Sequence, residues 1–101
     1  MSTIQEIDTI GRFHAKEGCE EELAQAIREA WAPAEAEEGC VFCTWYRSIK
    51  NPRLFFVHSR WRSNEAFDIH ADLPHTVALI EKAEKLIDHP LDVTRLLELD
   101  R

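Results

Sequence analysis

Cys40–Ser48 and Leu54–Trp61 are two runs rich in β-branched and aromatic residues, joined by Ile49-Lys50-Asn51-Pro52-Arg53. Alternation along the runs and turn chemistry between them predict a β-hairpin. Both faces of this hairpin are apolar, which is unusual for a strand pair with one wet side. On the first strand Val41, Cys43 and Trp45 point one way and Cys40, Phe42 and Tyr46 the other. On the second, Phe55, Val57 and Trp61 oppose Leu54, Phe56 and His58. Burying a large apolar side chain is worth about 1.5–3 kcal/mol, so such a hairpin has to be covered on both sides.

The flanking segments say what can cover it. From Ile4 to Ala15 the chain alternates, with Ile7, Thr9, Gly11, Phe13 and Ala15 on one face of a first strand. Gly11 inside a strand implies the close approach of another group. After a turn at Lys16-Glu17-Gly18, Leu23, Ala26, Ile27, Ala30 and Trp31 recur at helical spacing. Glu20, Glu21 and Glu22 suit the first turn of that helix. Pro33 is expected to stop it, with a short turn over Ala34 to Glu38. Ser63 is a good N-cap for a helix to about Ala71, and Pro74 suits the first turn of another. Val77, Leu79, Ile80, Ala83, Leu86 and Ile87 form the apolar face of the latter, which Asp88-His89-Pro90 ends. Leu91, Val93, Leu97 and Leu99 alternate with Asp92, Thr94 and Glu98 in a last strand with one wet face.

Strand, helix, strand, strand, helix, strand is the ferredoxin-like order, an α+β βαββαβ fold with an antiparallel sheet, here in one domain over residues 1–101. Helices in this order cover one face of the sheet only. A second copy, packed sheet face against sheet face, is the expected cover for the other. The space left is expected to take a small apolar or aromatic ligand. Phe42, Tyr46, Phe56 and His58 from the hairpin and Phe67 from the following helix are the expected binding residues.

Composition excludes several classes of function. The net charge is −7 with a pI near 5.1, and no Lys/Arg cluster exists to neutralise phosphates, so nucleic acid is not an expected partner. Glu17, Glu20, Glu21, Glu22, Glu29, Glu35, Glu37 and Glu38 concentrate around the first helix and read as a solvated face. No apolar run approaches the ~20 residues of a membrane span, and Met1-Ser2-Thr3 has no signal-peptide character. Cytoplasm is the expected compartment. The cysteines number 3, an odd count that rules out a full intrachain disulfide framework.

Arg60 to His75 is the segment densest in chemistry, with Trp61, Phe67, His70 and His75. A histidine near its free pKa of about 6.5 exchanges protons at neutral pH. His70 and His75 share neither a helical turn nor a strand, but the break at Pro74 can aim both inward. His58 and His14 are further polar points. Metal is not expected, since neither helical H-x-x-x-H spacing nor a Cys/His knuckle occurs. Cys40 and Cys43 form a C-x-x-C string, but strand alternation sends them to opposite faces and assigns them to packing. Cys19, at the start of the first helix, has no evident partner. There is no G-x-G-x-x-G, phosphate loop or Ser-His-Asp order.

Glu38-Gly39-Cys40, Arg47-Ser48, Arg60-Trp61, Ala66-Phe67-x-x-His70 and Pro74-His75 together resemble the antibiotic biosynthesis monooxygenase family, over about Ile10 to Leu99. The resemblance implies a ferredoxin-like fold dimerising into an α/β barrel. It also implies, for some members, oxidation of phenols, quinols or anthrones by dioxygen without flavin, metal or haem. His70 and His75 would be the bases, with Trp61 as wall and hydrogen-bond donor. This chain has Ser59 where a glutamate is common, Phe67 where oxygenase members carry a tyrosine, and Leu73 where a serine or threonine precedes Pro-His. Gly11, His70 and Ile80 replace the asparagine, tryptophan and axial histidine of the haem-degrading branch, so haem is not expected. Two other functions suit the same fold: a non-catalytic ligand-binding or stress-response barrel, and an isomerase with histidine proton shuttles.

Overall fold

In the computed structural model residues 5–100 are described; Met1-Ser2-Thr3 and Ile4, the expected start of the first strand, lie outside them. The elements are β1 (Ile7–His14), α1 (Glu20–Glu35), β2 (Cys40–Arg47), β3 (Leu54–Trp61), α2 (Asn64–Asp72), α3 (Pro74–Leu86) and β4 (Asp92–Leu96). The strands form one sheet in the order β2-β3-β1-β4, antiparallel at every neighbouring pair. This is the ferredoxin-like α+β arrangement, with the β2–β3 hairpin at one edge.

Register decides which side of each strand meets the helices. Ile7 pairs with Trp61, Thr9 with Ser59, Gly11 with Val57 and Phe13 with Phe55, and these residues face α1 and α3. Their neighbours Asp8, Ile10, Arg12, Leu54, Phe56, His58 and Arg60 face the open side. Phe13, Ala15, Leu23, Ala26, Ile27, Ala30, Phe55, Leu79, Ala83 and Leu86 make the core between sheet and helices. The alanines on α1 let that helix lie close to the sheet. Gly11 is a true close approach: a Cβ there would stand 2.7 Å from Val57 Cγ1.

The structure departs from the sequence expectations at particular points. α1 runs through Pro33 to Glu35 instead of stopping there. Proline in the last turn costs few backbone bonds, and Ala30 and Ala34 continue the buried face across it. A β-bulge lies between Cys40 and Phe42, pairing Cys40 with Trp61 and Phe42 with Arg60. Val41 is the extra residue and is exposed. The bulge shifts the alternation by one, so Cys40 and Cys43 share the helix-facing side and do not point to opposite faces. Both are free, and burial pushes the Cys40 thiol up to about 11 and the Cys43 thiol up to about 12. β4 ends at Leu96, short of Leu99, because its partner Asp8 stands next to the start of β1. Among the described residues no helix is long and apolar enough to cross a membrane.

The junction of α2 and α3 matches its sequence signals. Ser63 Oγ accepts from the Ala66 amide at 3.0 Å, capping α2. Leu73 is extended, as a residue before proline must be, and offers α3 no side-chain cap. Gly39 brings the entrance of β2 against α2, where a Cβ would lie 2.6 Å from that of Ala66. The end of α1, the start of β2 and the α2–α3 break therefore meet in one place.

Candidate active site

At that meeting point a cavity of about 270 Å³ opens between the sheet and the helices. Trp61, Thr9, Ser59, Val57 and Cys43 line its sheet side, while Phe67, His70, His75 and Leu79 line its helix side. Trp61 is almost wholly buried and forms the wall between the two. His70 packs against the indole with ring centroids 4.4 Å apart, and Phe67 meets it edge-on at 5.6 Å. His70 and His75, separated by the proline break, have centroids 6.1 Å apart. The expected trio of Trp61, His70 and His75 is thus brought together, with Phe67 beside it.

Glu37 holds the two histidines of this trio, although its place among the glutamates of the first helix assigns it to the solvated acidic face. Its Oε2 lies 2.7 Å from His70 Nδ1 and 2.7 Å from His75 Nε2. The carboxylate is largely shielded from solvent. Only acceptors are available on an ionised carboxylate, so each histidine presents an N–H to it. His70 then keeps Nε2, and His75 keeps Nδ1, as free lone pairs. Thr76 Oγ1, at 3.3 Å, shares the His70 Nδ1 proton. Burial holds the His70 pKa below its ordinary value, with the hydrogen bond and charge of Glu37 pulling it back up and His75 adding to the depression. No periodicity links Glu37 to a histidine 33 residues away. The signal in the sequence was positional: Glu37 stands at the α1–β2 break, beside Glu38-Gly39-Cys40.

Thr9 and Ser59 were also missed. They face each other across β1 and β3, with hydroxyl oxygens 2.5 Å apart. Trp61 Nε1 donates to Ser59 Oγ at 3.0 Å. The indole N–H expected to point at a ligand is therefore committed to a side chain. Nearly all the remaining lining is apolar.

Phe42, Tyr46, Phe56 and His58, expected at a ligand cavity, do not line this one. Strand parity puts them on the open face of the sheet. There Asp8 accepts from His58 at 2.7 Å and from Arg60 Nε at 2.9 Å, and the Arg60 guanidinium lies over Phe42. Arg60, first among its influences, holds the Asp8 carboxyl below the usual carboxylate range. His14, expected near His58, instead sits at the far end of β1 against Asp88 and Asn51.

Metal-ligand geometry arises where sequence spacing gave no sign of it. Glu37, His70 and His75 offer one atom each within 4.8 Å of one another, as do His14, Asp88 and His89. In the first group the Glu–His separations are those of hydrogen bonds.

The family model for antibiotic biosynthesis monooxygenase matches residues 8–82. The chain belongs to the antibiotic biosynthesis monooxygenase family. A curated relative in Mycobacterium tuberculosis, named "Putative monooxygenase Rv0793", is 29% identical over 94 residues, covering 93% of this chain and 92% of its own. The solved structure of Rv0793 superposes with a TM-score of 0.90 at 27% identity, covering 96% of this chain and 98% of that one. The crystal structure of PA3566 from Pseudomonas aeruginosa gives 0.89 at 23% identity, covering 99% and 100%, and shows the shared fold. Family membership supports a monooxygenase-like role, and the matched stretch contains Glu37, Trp61, His70 and His75.

Proposed function

We propose that this protein is a cofactor-independent monooxygenase that oxidises a small hydroxyaromatic molecule with dioxygen. The observation that carries this reading is one shielded carboxylate holding two histidines at the wall of an apolar cavity. In that arrangement His70 Nε2 is the base, with its neutral form favoured at pH 7 by burial. Removal of a phenolic proton gives an electron-rich anion next to Trp61 and Phe67, in a space from which water is largely excluded. The anion donates to dioxygen, and the substrate itself supplies all the electrons. A hydroquinone would take up one oxygen atom to become a hydroxyquinone, the other leaving as water. His70, carrying that proton on Nε2, returns it to the reduced oxygen, while His75 on the same carboxylate keeps Glu37 in place.

Cavity size narrows the substrate. At packing densities between those of a liquid and a protein interior, about 270 Å³ holds a molecule of roughly 150–200 Å³. One- or two-ring aromatics suit it better than large polycycles.

The open sheet face supports a homodimer. Tyr46 is more than half exposed there, next to Phe42, Phe56 and Leu54, and no helix covers them. A second copy packed on this face would bury them, leaving one cavity per subunit on the other side. In this reading Phe42, Tyr46, Phe56 and His58 serve the interface, and Trp61, Phe67, His70 and His75 serve the substrate.

Oxygen uptake with a panel of hydroquinones and naphthols, using labelled dioxygen, tests the activity. One labelled oxygen atom in the product, at a rate above spontaneous autoxidation and lost in His70→Ala, supports it. Binding without oxygen consumption would make the protein a passive ligand carrier. Conversion without oxygen consumption would make it an isomerase.

A further inference from the structure

The cavity has a second polar end that the base chemistry does not use. Thr9 and Ser59 are 2% and 4% exposed, and both line the cavity. Their protons can be counted. The indole N–H of Trp61 can only donate, so its bond at 3.0 Å fixes Ser59 Oγ as an acceptor. A single hydrogen bond then joins the two hydroxyls, and it consumes one of their two protons whichever oxygen donates. Neither hydroxyl has any further side-chain or backbone partner among the described residues. One O–H is left over, buried, in a wall that is otherwise apolar.

A buried donor without an acceptor is unfavourable, and an oxygen on a bound molecule would satisfy it. We infer that the Thr9–Ser59 hydroxyl pair is an oxygen-binding subsite that donates a hydrogen bond to an acceptor oxygen of the substrate. The assignment rests on reading this cavity as the substrate site, and it adds what that reading lacks, a specificity for the substrate's second oxygen. Trp61 touches both polar ends: its ring packs on His70 and its nitrogen edge bonds Ser59. The two ends are thus within reach of one small aromatic molecule. The ligand class that fits is a ring carrying an acidic hydroxyl at the histidines and a hydroxyl, ether or carbonyl oxygen at Thr9 and Ser59.

A matched ligand pair tests the subsite without turnover. Para-methoxyphenol and para-ethylphenol have nearly the same shape and acidity, but only the first has an acceptor at the second position. In anaerobic calorimetry the full chain should bind the methoxy compound about fivefold more tightly, the worth of one hydrogen bond. Thr9→Ser keeps the pair and should keep the preference. Thr9→Val should keep it too, since the Ser59 proton is then the free one. Thr9→Val/Ser59→Ala/Trp61→Phe removes both hydroxyls and the indole N–H that loss of Ser59 would set free, and should bring the preference to within about twofold, with an unchanged far-UV circular dichroism spectrum as the control for folding. Equal binding of the two phenols by the parent protein, or an undiminished preference in the triple variant, would overturn the assignment. The two readings fail separately: a preference without oxygen consumption removes the oxygenase and keeps the subsite, whereas turnover without a preference does the reverse.

Discussion

Glu37 decides what two histidines at one cavity wall can do. Its shared oxygen fixes a tautomer on each ring, so that the free lone pairs lie away from the carboxylate. His70→Ala should lower kcat by about 10²–10⁴-fold, the usual worth of a positioned base, in stopped-flow oxygen consumption. Glu37→Gln keeps an acceptor but removes the charge that raises the His70 pKa. Its acid limb in kcat/KM should therefore move to lower pH as the rate falls, whereas a purely structural role would lower the rate and leave the limb in place. Folding stability carries the same signature. Burial depresses the His70 pKa in the folded state below the value of about 6.5 in the unfolded chain, so the unfolded chain binds more protons between the two. This contribution is complete above about pH 6.5 and is lost as pH falls through the folded value. Urea midpoints measured from about pH 8 to about pH 5 should drop on the acid side, and His70→Asn should flatten that drop.

At the scale of elements, the site hangs on short-range contacts at chain breaks. α2 contains no buried residue. It is held by the Ser63 cap, by His70 on Glu37, and by Arg95 of β4, which bonds Asn64 at 2.6 Å and Asp68 at 2.7 Å and lies over Phe67. Arg95→Ala should speed hydrogen exchange across residues 64–72 and raise KM more than it lowers kcat, because Phe67 and His70 lose a fixed support. Gly39→Ala should destabilise by roughly 1–3 kcal/mol in denaturant titrations, since its Cβ would overlap that of Ala66. The Ser63 cap and the Pro74 start were legible in the sequence because both act through the local backbone. The extent of α1 past Pro33, the end of β4 and the bulge at Val41 were not. Each is set by what lies opposite: the buried face of Ala30 and Ala34, the start of β1, and the Arg60–Trp61 step of β3.

At the scale of the whole molecule, the sheet separates two jobs. One face, with the helices, encloses the cavity; the other, with Tyr46, Phe56 and Phe42, is covered by no helix. The proposed homodimer should sediment at twice the 11.7 kDa chain mass. Phe56→Asp should shift it toward monomer by placing a charge at the centre of the contact. Because the cavity lies across the sheet, that monomer should still bind para-methoxyphenol, and loss of binding together with dimerisation would show that the partner completes the site.

Residue order and alternation alone determined the strand and helix types, the ferredoxin-like topology, the two-sided hairpin, and the segment carrying Trp61, His70 and His75. These follow from backbone geometry, which repeats along the chain and acts between near neighbours. Only the tertiary structure decided which hairpin face meets the helices, that Cys40 joins Cys43 on one side, and that Glu37, Thr9 and Ser59 belong with the histidines. Those relations depend on strand register and on contacts between distant residues, where a one-residue bulge is enough to reverse a side chain.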